Sequence, residues 1–338
     1  MIHISFKKGQ GLGNQLWVYS AAKSIADKLN FKLKIHNFEN FKGKDFLFLD
    51  YQHLSNSENN DSSKGNIEKI FHEFLYYDSK YKYILSGFDD RIFNLEENTL
   101  IEGLFQSEKY FFGDLNKLKK YIKLKNEFIE SNYISSDICI LNIRGGESKR
   151  HKSILPKKYW ENAMKNFQIN HGIQDFKIVT DDPKYANYLF PNLEVIASAP
   201  DIEKCYSLIH NCSNIISSNS TFSYFPCKTG FKKNVIAPIY WQRPFNKDKR
   251  WFSPCNLYTE WQWQDEKGKL FSFEECRKSA KESEIFYTSR TNILVSKNEI
   301  TNSSILSKIP NKYKKHLKKF LSYIFPNYVG NDPGDFIK

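Results

Sequence analysis

Hydrophobic and polar positions follow two different periods along the first part of the chain, and together they predict a β-α-β unit. A short apolar run predicts a strand over residues 2–6, and the turn GQGLGNQ follows at residues 9–15. Apolar residues then recur every three or four positions over residues 18–29, which predicts a helix with Asn14 as its N-cap. A second predicted strand, over residues 31–35, completes the unit.

The pattern from residue 138 onward predicts strands and helices in regular alternation. The predicted strands cover residues 138–143, 176–180, 193–197, 214–217 and 234–237. Such alternation is typical of a parallel, doubly wound sheet. We therefore expect an α/β fold with two Rossmann-like domains that face each other across a cleft.

Changes in the pattern predict where the domains begin and end. The first domain is expected to cover residues 1–135 and to include a loop rich in serine and asparagine at residues 55–66. A lysine-rich helix over residues 113–134 is predicted to lead to a second domain over residues 136–295. The remaining residues, 296–338, form a separate basic tail.

The tail combines lysines with apolar residues at helical spacing after Pro310. Basic amphipathic helices attach to anionic lipid surfaces. This predicts peripheral contact with the inner face of a membrane. The alternative, a helix that packs on the protein and keeps its lysines in water, stays open.

Composition narrows the class of protein. Of the 338 residues, 40% are hydrophobic and 16% are aromatic, so wholesale disorder is not expected. The net charge of +12 suggests an anionic partner, such as a phosphorylated ligand or a membrane surface. Nucleic acid is not expected, because no base-stacking motif is visible. The sequence shows no signal peptide or transmembrane stretch, and its six cysteines lack zinc-ligand spacing, so we expect a cytoplasmic protein with reduced thiols.

Polar residues that follow predicted strands are the candidates for ligand binding, because open α/β sheets bind ligands outside the carboxyl ends of their strands. The segment ILNIRGGE brings Asn142 and Arg144 to such an end. An arginine fork followed by two glycines suits a phosphate group. The alternative is an ion pair between Arg144 and Glu147 or a nearby aspartate.

A second strand end carries the segment VTDDP. The carboxylate of Asp181 or Asp182 can accept two hydrogen bonds from guanine, which adenine cannot donate. The alternative is an N-cap for the next helix, with Pro183 in its first turn. Each aspartate can take one of the two roles.

A third strand end leads into the first turn of a predicted helix. Its candidate residues are Ser220, Thr221, Phe222 and Ser223. Small hydroxyls and free amides at a helix N-terminus suit an anion such as pyrophosphate. The alternative is that the hydroxyls only cap the helix.

The glycine turn at residues 9–15 departs from the dinucleotide-binding fingerprint G-x-G-x-x-G. Asn14 stands where the third glycine of that fingerprint is required. A tight turn between a strand and a helix explains these glycines equally well.

Four segments in order resemble the α-1,2-fucosyltransferases, glycosyltransferase family eleven. They are GLGNQLWVYSAAKSIA at residues 11–26, GLFQSEKYF at 103–111, VTDDP at 179–183 and SNSTFSYF at 218–225. The resemblance implies a GT-B arrangement in which the second domain holds GDP-fucose and the first holds the acceptor, usually a galactose. It also implies that four residues of the first segment line the acceptor side of the cleft: Gly11, Gly13, Asn14 and Gln15.

The first nucleotide-binding motif of that family reads His-x-Arg-Arg-Gly-Asp, and this chain matches it in part. Arg144 and Gly146 match, whereas Asn142, Gly145 and Glu147 replace the histidine, the second arginine and the aspartate. We expect an inverting displacement in which Arg144 and the amides of residues 220–223 stabilise the departing diphosphate. No metal ion or other cofactor is then required. Glu147 is the candidate general base.

Two alternatives remain open at this point. The substitutions in the first motif are compatible with a different GDP-sugar as donor. They are also compatible with a protein that binds a sugar nucleotide or a glycan without catalysing transfer. The expected acceptor is an oligosaccharide or a lipid-linked glycan precursor, with the 2-hydroxyl of galactose as the expected target.

Overall fold

A computed structural model describes most of the chain. The described residues are 1–51, 67–78, 83–146, 148, 153–231, 234–241, 244–245, 247–251, 256–289 and 294–295. The predicted loop at 55–66, the candidate base Glu147 and the basic tail after residue 296 lie outside them.

The strands and helices are numbered in chain order over the described residues. Strands β1 to β16 span Ile2–Ser5, Leu33–His36, Leu47–Leu49, Lys69–His72, Leu75–Asp78, Tyr83–Ser86, Thr99–Glu102, Ile122–Leu124, Ile138–Ile143, Asp175–Thr180, Val195–Ser198, Asn214–Ser217, Asn234–Pro238, Gln262–Gln264, Leu270–Phe271 and Leu294–Val295. Helices α1 to α8 span Leu12–Leu29, Lys117–Tyr121, Asn126–Ser131, Lys157–His171, Pro183–Leu189, Ile202–Asn211, Thr221–Thr229 and Phe273–Ser289. Short 3-10 helices span Phe38–Asn40, Asp90–Asn94 and Glu108–Phe111.

The chain divides into two compact units. The first contains residues 1–41, the described part of 51–113, and β16 near the end of the described chain. The second contains residues 42–50 and the described part of 114–286. The longest stretch of the first unit therefore ends at residue 113, and the predicted domain bounds stay a prediction.

The first unit contains a four-stranded sheet in the order β2-β1-β7-β4, with every neighbouring pair parallel. Helix α1 connects β1 to β2, so the predicted β-α-β unit is confirmed. Its core is apolar because the inward positions of β1 and α1, such as Ile4, Leu16 and Trp17, are fully buried. A separate antiparallel sheet of this unit has the order β16-β5-β6.

Asn14 is not the N-cap of α1, contrary to the prediction. The helix begins at Leu12, and Gly11 takes the cap position with an extended backbone. Asn14 therefore lies within the first turn, where its Oδ1 accepts a hydrogen bond of 2.9 Å from Nε2 of Gln106. Residues 12–15 of the predicted turn are already helical, so the helix starts before the first apolar position of the predicted period.

The second unit contains a seven-stranded sheet in the order β11-β10-β9-β12-β13-β14-β15. All neighbours are parallel except β14 and β15. The central strand β9 has five buried residues in succession, as expected for a strand that is covered on both faces. The predicted α/β fold class is confirmed, since each unit has its own Rossmann-like sheet, with α1 packed on the first sheet and several helices packed on the second.

The predicted single lysine-rich helix over residues 113–134 is wrong. The segment instead forms α2, β8 and α3. Ile122 and Leu124 are buried on either side of the exposed Lys123, which is the period of a strand. Strand β8 pairs antiparallel with β3, and this pairing brings residues 42–50 into the second unit.

Candidate functional site

In the second unit, the direction in which the chain adds strands to the sheet reverses between β11 and β12. From β9 the chain proceeds outward through β10 to β11, and β12 then returns to the opposite side of β9. Ligands of doubly wound sheets bind at such switch points, outside the carboxyl ends of the strands. The candidate site is therefore expected where β9 and β12 end.

Asn142 links the strand ends at this switch point. Its side chain is buried, and Nδ2 donates to the carbonyl of Val179 on β10 at 3.4 Å. Oδ1 accepts from the hydroxyl of the buried Ser218, just beyond β12, at 3.5 Å. Asn142 thus connects the ends of three neighbouring strands, and its predicted contact with the donor stays a prediction.

Arg144 emerges from the end of β9 and forms an ion pair with Asp181. Its Nη1 lies 3.2 Å from Oδ2 of Asp181, and the two side chains are 27% and 17% exposed. Oδ1 of the same carboxylate accepts a hydrogen bond of 2.7 Å from the backbone of Gly145. The ion-pair alternative is therefore present in the structure. The guanidinium has five N–H donors in a fork, so this contact leaves it able to meet an anion as well.

The two glycines after Arg144 allow the two aspartates to approach the loop. A Cβ atom at Gly145 would lie 2.6 Å from Cβ of Asp182, and one at Gly146 would lie 2.8 Å from Oδ2 of Asp181. Real Cβ atoms do not approach so closely. The glycines thus have a visible structural purpose, which is close contact with the loop after β10.

Asp182 caps helix α5. Its Oδ1 accepts a hydrogen bond of 3.0 Å from the backbone of Tyr185, and Pro183 is in the first turn. Its own backbone donates to Oγ1 of Thr180 at 3.0 Å. The capping alternative is confirmed for Asp182, and guanine recognition by Asp181 stays a prediction.

The loop between β12 and α7 is braced by its own hydroxyls. Oγ of Ser220 accepts from the backbone of Phe222 at 3.2 Å, so Ser220 is the N-cap. The buried Oγ of Ser223 donates to the carbonyl of Ser220 at 2.9 Å and lies 2.7 Å from Oγ of Ser217. Capping is confirmed for Ser220. Anion binding by the amides of the first turn, which includes the half-buried Thr221, stays a prediction.

Cys205 on α6 is a neighbour of this site that the sequence did not indicate. Burial and, to a smaller extent, the negative charge of the nearby Asp201 raise the pKa of its thiol to about 12. The positive charge of Arg144 lowers the pKa but does not offset the burial. The thiol is therefore protonated near neutral pH and is a poor nucleophile.

The four residues predicted to line an acceptor site organise the start of α1. Gly11 caps the helix, and Gly13 is buried in its first turn. Gln15 is fully buried, and its Nε2 donates to the carbonyl of Asn40 at 2.7 Å. The first unit itself therefore uses the Gln15 amide, and contact of these four residues with an acceptor stays a prediction.

Glu73 is a buried acid that the sequence analysis missed. It lies just after β4 and is fully buried. Its Oε2 accepts from the backbone of Leu104 at 2.7 Å and of Phe105 at 2.8 Å. Its Oε1 accepts from the hydroxyls of Ser86 at 2.7 Å and Tyr110 at 2.9 Å.

Burial raises the pKa of the Glu73 carboxyl to about 7, and the four hydrogen bonds oppose this rise. The carboxyl holds the start of the segment GLFQSEKYF, at residues 103–111, in one conformation. A single acid between apolar residues in the sequence FHEFL is the only local signal of this role.

Neither a metal-binding cluster nor a membrane-spanning helix is found within the described ranges. No group of three or more His, Cys, Asp or Glu side chains there is placed to hold a metal ion. No described helix combines the length and the hydropathy needed to cross a membrane.

The second unit thus belongs to the class of doubly wound α/β domains with a polar site at the switch point. No protein-family model matches the chain. The chain is 30% identical over 200 residues to the O-antigen biosynthesis glycosyltransferase WbnK of Escherichia coli. The match covers 54% of this chain and 64% of WbnK, which is slightly less than two thirds of that protein. The chain is therefore related to a known glycosyltransferase through about half of its length.

Several solved structures are similar at low identity. NodZ alpha-1,6-fucosyltransferase soaked with GDP-fucose is 14% identical with a TM-score of 0.39, over 72% of this chain and 97% of that one. A mutant of FUT1 from Arabidopsis thaliana in complex with GDP is 12% identical with a TM-score of 0.42, over 72% and 71%. A family 9 glycosyl transferase from Veillonella parvula is 12% identical with a TM-score of 0.38, over 83% and 96%. Likenesses this weak carry no argument about activity.

Proposed function

We propose that this protein is a glycosyltransferase that transfers fucose from GDP-fucose to a hydroxyl group of a glycan. The observation that carries the proposal is the presence of Arg144 and the N-terminus of α7 on adjacent strand ends at the switch point. The relationship to WbnK supports the glycosyltransferase class. The four sequence segments that resemble α-1,2-fucosyltransferases support the choice of donor.

The geometry of the two strand ends suits a diphosphate. Strands β9 and β12 are parallel neighbours, with Asn142 opposite Ser217 in the register. Neighbouring strands lie about 5 Å apart. An arginine after one strand and a helix N-terminus after the next therefore present positive potential over the length of a pyrophosphate. In the proposal, Asp181 holds the arginine fork in place and faces the guanine.

The proposed reaction is an inverting displacement. The acceptor oxygen forms a bond to the anomeric carbon and gives its proton to a general base, for which Glu147 is the candidate from the sequence. The bond from the anomeric carbon to the β-phosphate oxygen breaks, and its electron pair leaves with GDP. Negative charge then grows on the diphosphate, where Arg144 and the first amides of α7 stabilise it. Removal of one such preorganised donor typically lowers the rate by about 10²–10³, or about 3–4 kcal/mol.

The Arg144 cation and the partial positive charge at the N-terminus of α7 take the part that a metal ion plays in other transferases, so we propose that the reaction needs none. The proposed acceptor is the 2-hydroxyl of a galactose in an oligosaccharide or a lipid-linked precursor, and the basic tail would hold the protein near the membrane. Full activity in EDTA is the expected result. Loss of activity in EDTA with recovery in Mn²⁺ would contradict the metal-independent reaction.

Calorimetric titration of the metal-free protein tests the donor site. GDP-fucose, GDP-mannose, ADP-ribose and UDP-galactose are compared with the native protein, with Arg144→Ala and with Arg277→Ala. Arg277 is a suitable control because it lies in the same unit and its side chain is 69% exposed. We expect selective binding of GDP-fucose that only Arg144→Ala weakens. Equal binding of the guanine, adenine and uracil nucleotides would refute the proposal.

A further inference from the structure

A series of buried hydrogen bonds lies behind the N-terminus of α7, and one end of the series is Tyr159. Tyr159 is in the first turn of α4, outside the residues proposed to meet the donor, and its side chain is fully buried. Its hydroxyl donates to the carbonyl of Ser217, the last residue of β12, at 2.9 Å. The side chain therefore reaches from α4 to the strand end where the turn into α7 begins.

The turn between β12 and α7 continues the series through two fully buried serines. Oγ of Ser217 donates to the carbonyl of Ser218 at 2.9 Å and lies 2.7 Å from Oγ of Ser223. Oγ of Ser223 donates to the carbonyl of Ser220, the N-cap of α7, at 2.9 Å. Each serine hydroxyl has one proton, so these two hydroxyls have two protons for three contacts. The hydroxyl of Tyr159 is a further donor to the turn, and this shortage of protons does not affect it.

The Tyr159 hydroxyl is a fixed donor. Burial raises the pKa of this hydroxyl well above its ordinary value, so it stays protonated near neutral pH. A buried hydroxyl without a partner is unfavourable, which favours the backbone position in which the Ser217 carbonyl accepts from it. The backbone of Tyr159 is held as well, because Nε2 of the buried Gln264 on β14 donates to its carbonyl at 2.9 Å. Groups outside the turn therefore determine where this donor lies.

The same turn is connected to both groups that are proposed to meet the diphosphate. It leads into the first turn of α7, and Ser218 within it donates to Oδ1 of Asn142 at 3.5 Å. Asn142 is two residues before Arg144, near the end of the neighbouring strand β9. Binding groups are effective only when the shell of residues around them holds them in the productive geometry.

We propose that Tyr159 is a positioning residue, whose hydroxyl holds the turn between β12 and α7 in the geometry that binds the diphosphate of the donor. Tyr159 acts through the Ser217 carbonyl and touches no substrate. This inference rests on the proposed function, because that function places the diphosphate at the N-terminus of α7.

A comparison of GDP with guanosine tests the inference, because the two ligands differ only in the diphosphate. GDP is titrated by calorimetry and guanosine by saturation-transfer NMR, which detects weak binding. The proteins are the full native chain, Tyr159→Phe and the control Tyr133→Phe. Tyr159→Phe removes the hydroxyl and keeps the ring, and Tyr133 lies in the same unit with 78% of its side chain exposed. Melting curves come first, and both titrations are done at a temperature at which all three proteins are folded.

We expect the affinity for GDP to fall about tenfold in Tyr159→Phe, which is the effect of one lost hydrogen bond, while the affinity for guanosine stays within about twofold. Tyr133→Phe should match the native protein with both ligands. Equal affinity of the native protein and Tyr159→Phe for GDP would overturn the inference and leave the donor site standing. A fall by the same factor for both ligands would also overturn it, since a hydroxyl that only stabilises the fold would loosen the whole site. If the native protein does not bind GDP, the proposed donor site itself fails, and the inference fails with it.

Discussion

Replacement of Glu73 is the perturbation with the sharpest expected result, because each oxygen of its carboxyl group accepts two hydrogen bonds. Glu73→Gln keeps the shape of the side chain. Its amide oxygen can accept from the backbone of Leu104 and Phe105, and its amide nitrogen can donate to the hydroxyls of Ser86 and Tyr110. At pH 5 we therefore expect this variant to be within about 1 kcal/mol of the native protein.

The difference between the two proteins should grow with pH. The pKa of Glu73 is raised from 4.5 to about 7 in the folded protein. The folded state therefore keeps its proton while the unfolded state loses it, and the free energy of unfolding falls as the pH rises through this window. One pKa unit corresponds to about 1.4 kcal/mol, so the native protein should lose about 3 kcal/mol relative to Glu73→Gln by pH 8.

The comparison with Glu73→Gln also removes the effect of His3, whose contribution to the free energy of unfolding changes with pH in the opposite direction. Burial lowers the pKa of His3, in the same unit, from 6.5 to about 4. This group stabilises the folded state above pH 6.5 and loses that contribution as the pH falls toward 4. The effect of His3 is the same in both proteins, and it cancels in their difference.

Hydrogen exchange is the suitable assay, because the amides of Leu104 and Phe105 are themselves the donors to Glu73. Protection of the peptide that contains them gives the free energy of local opening in both proteins at pH 5 and pH 8. Glu73→Ala leaves two buried backbone donors, as well as the hydroxyls of Ser86 and Tyr110, without this acceptor. It should cost about 2–6 kcal/mol at pH 5, and about 3 kcal/mol less at pH 8, where the native protein has itself lost stability. The reasoning is refuted if the native protein and Glu73→Gln differ by the same amount at both pH values.

Three further predictions concern the second unit. Gly145→Ala should lower the melting temperature by several degrees and weaken GDP-fucose binding. The reason is that the methyl group of the alanine would lie 2.6 Å from Cβ of Asp182. An unchanged melting curve would contradict this contact. Asp182→Ala should cost about 1 kcal/mol in urea unfolding through loss of the α5 cap, and Asp182→Asn should recover most of it. Cys205 should resist alkylation by iodoacetamide at pH 8 in the folded protein and react after denaturation, since burial raises the pKa of its thiol to about 12. Labelling is measured by mass spectrometry of the peptide that contains Cys205. Rapid labelling of the folded protein would contradict this prediction.

Local patterns in the sequence were sufficient to predict most elements of the second unit. Strands β9 and β12 begin and end at the predicted residues, 138–143 and 214–217, because each is an apolar run with polar residues at both ends. The strand-end positions of Arg144 and Asp181 followed directly, since a parallel sheet brings its carboxyl ends to one edge.

The same local reasoning left each strand-end residue with two possible roles. For some of these residues, only the structure decided between the two. Asp182 and Ser220 are caps because their oxygens lie within reach of amides two or three residues ahead. Arg144 pairs with Asp181, which is 37 positions away in the sequence, and no local period records such a contact.

What the sequence by itself determined is the α/β class, the order of strands and helices over residues 138–237, and the polar strand ends, because these depend on periods of two to four residues. The tertiary structure decided what depends on distant partners. Strand β8 replaced a predicted helix because β3, more than 70 residues earlier, offers it an edge to pair with. Likewise, Glu73 acquires its hydrogen-bond partners, and Lys7 pairs with Glu102, only when separate strands meet at one edge of a sheet.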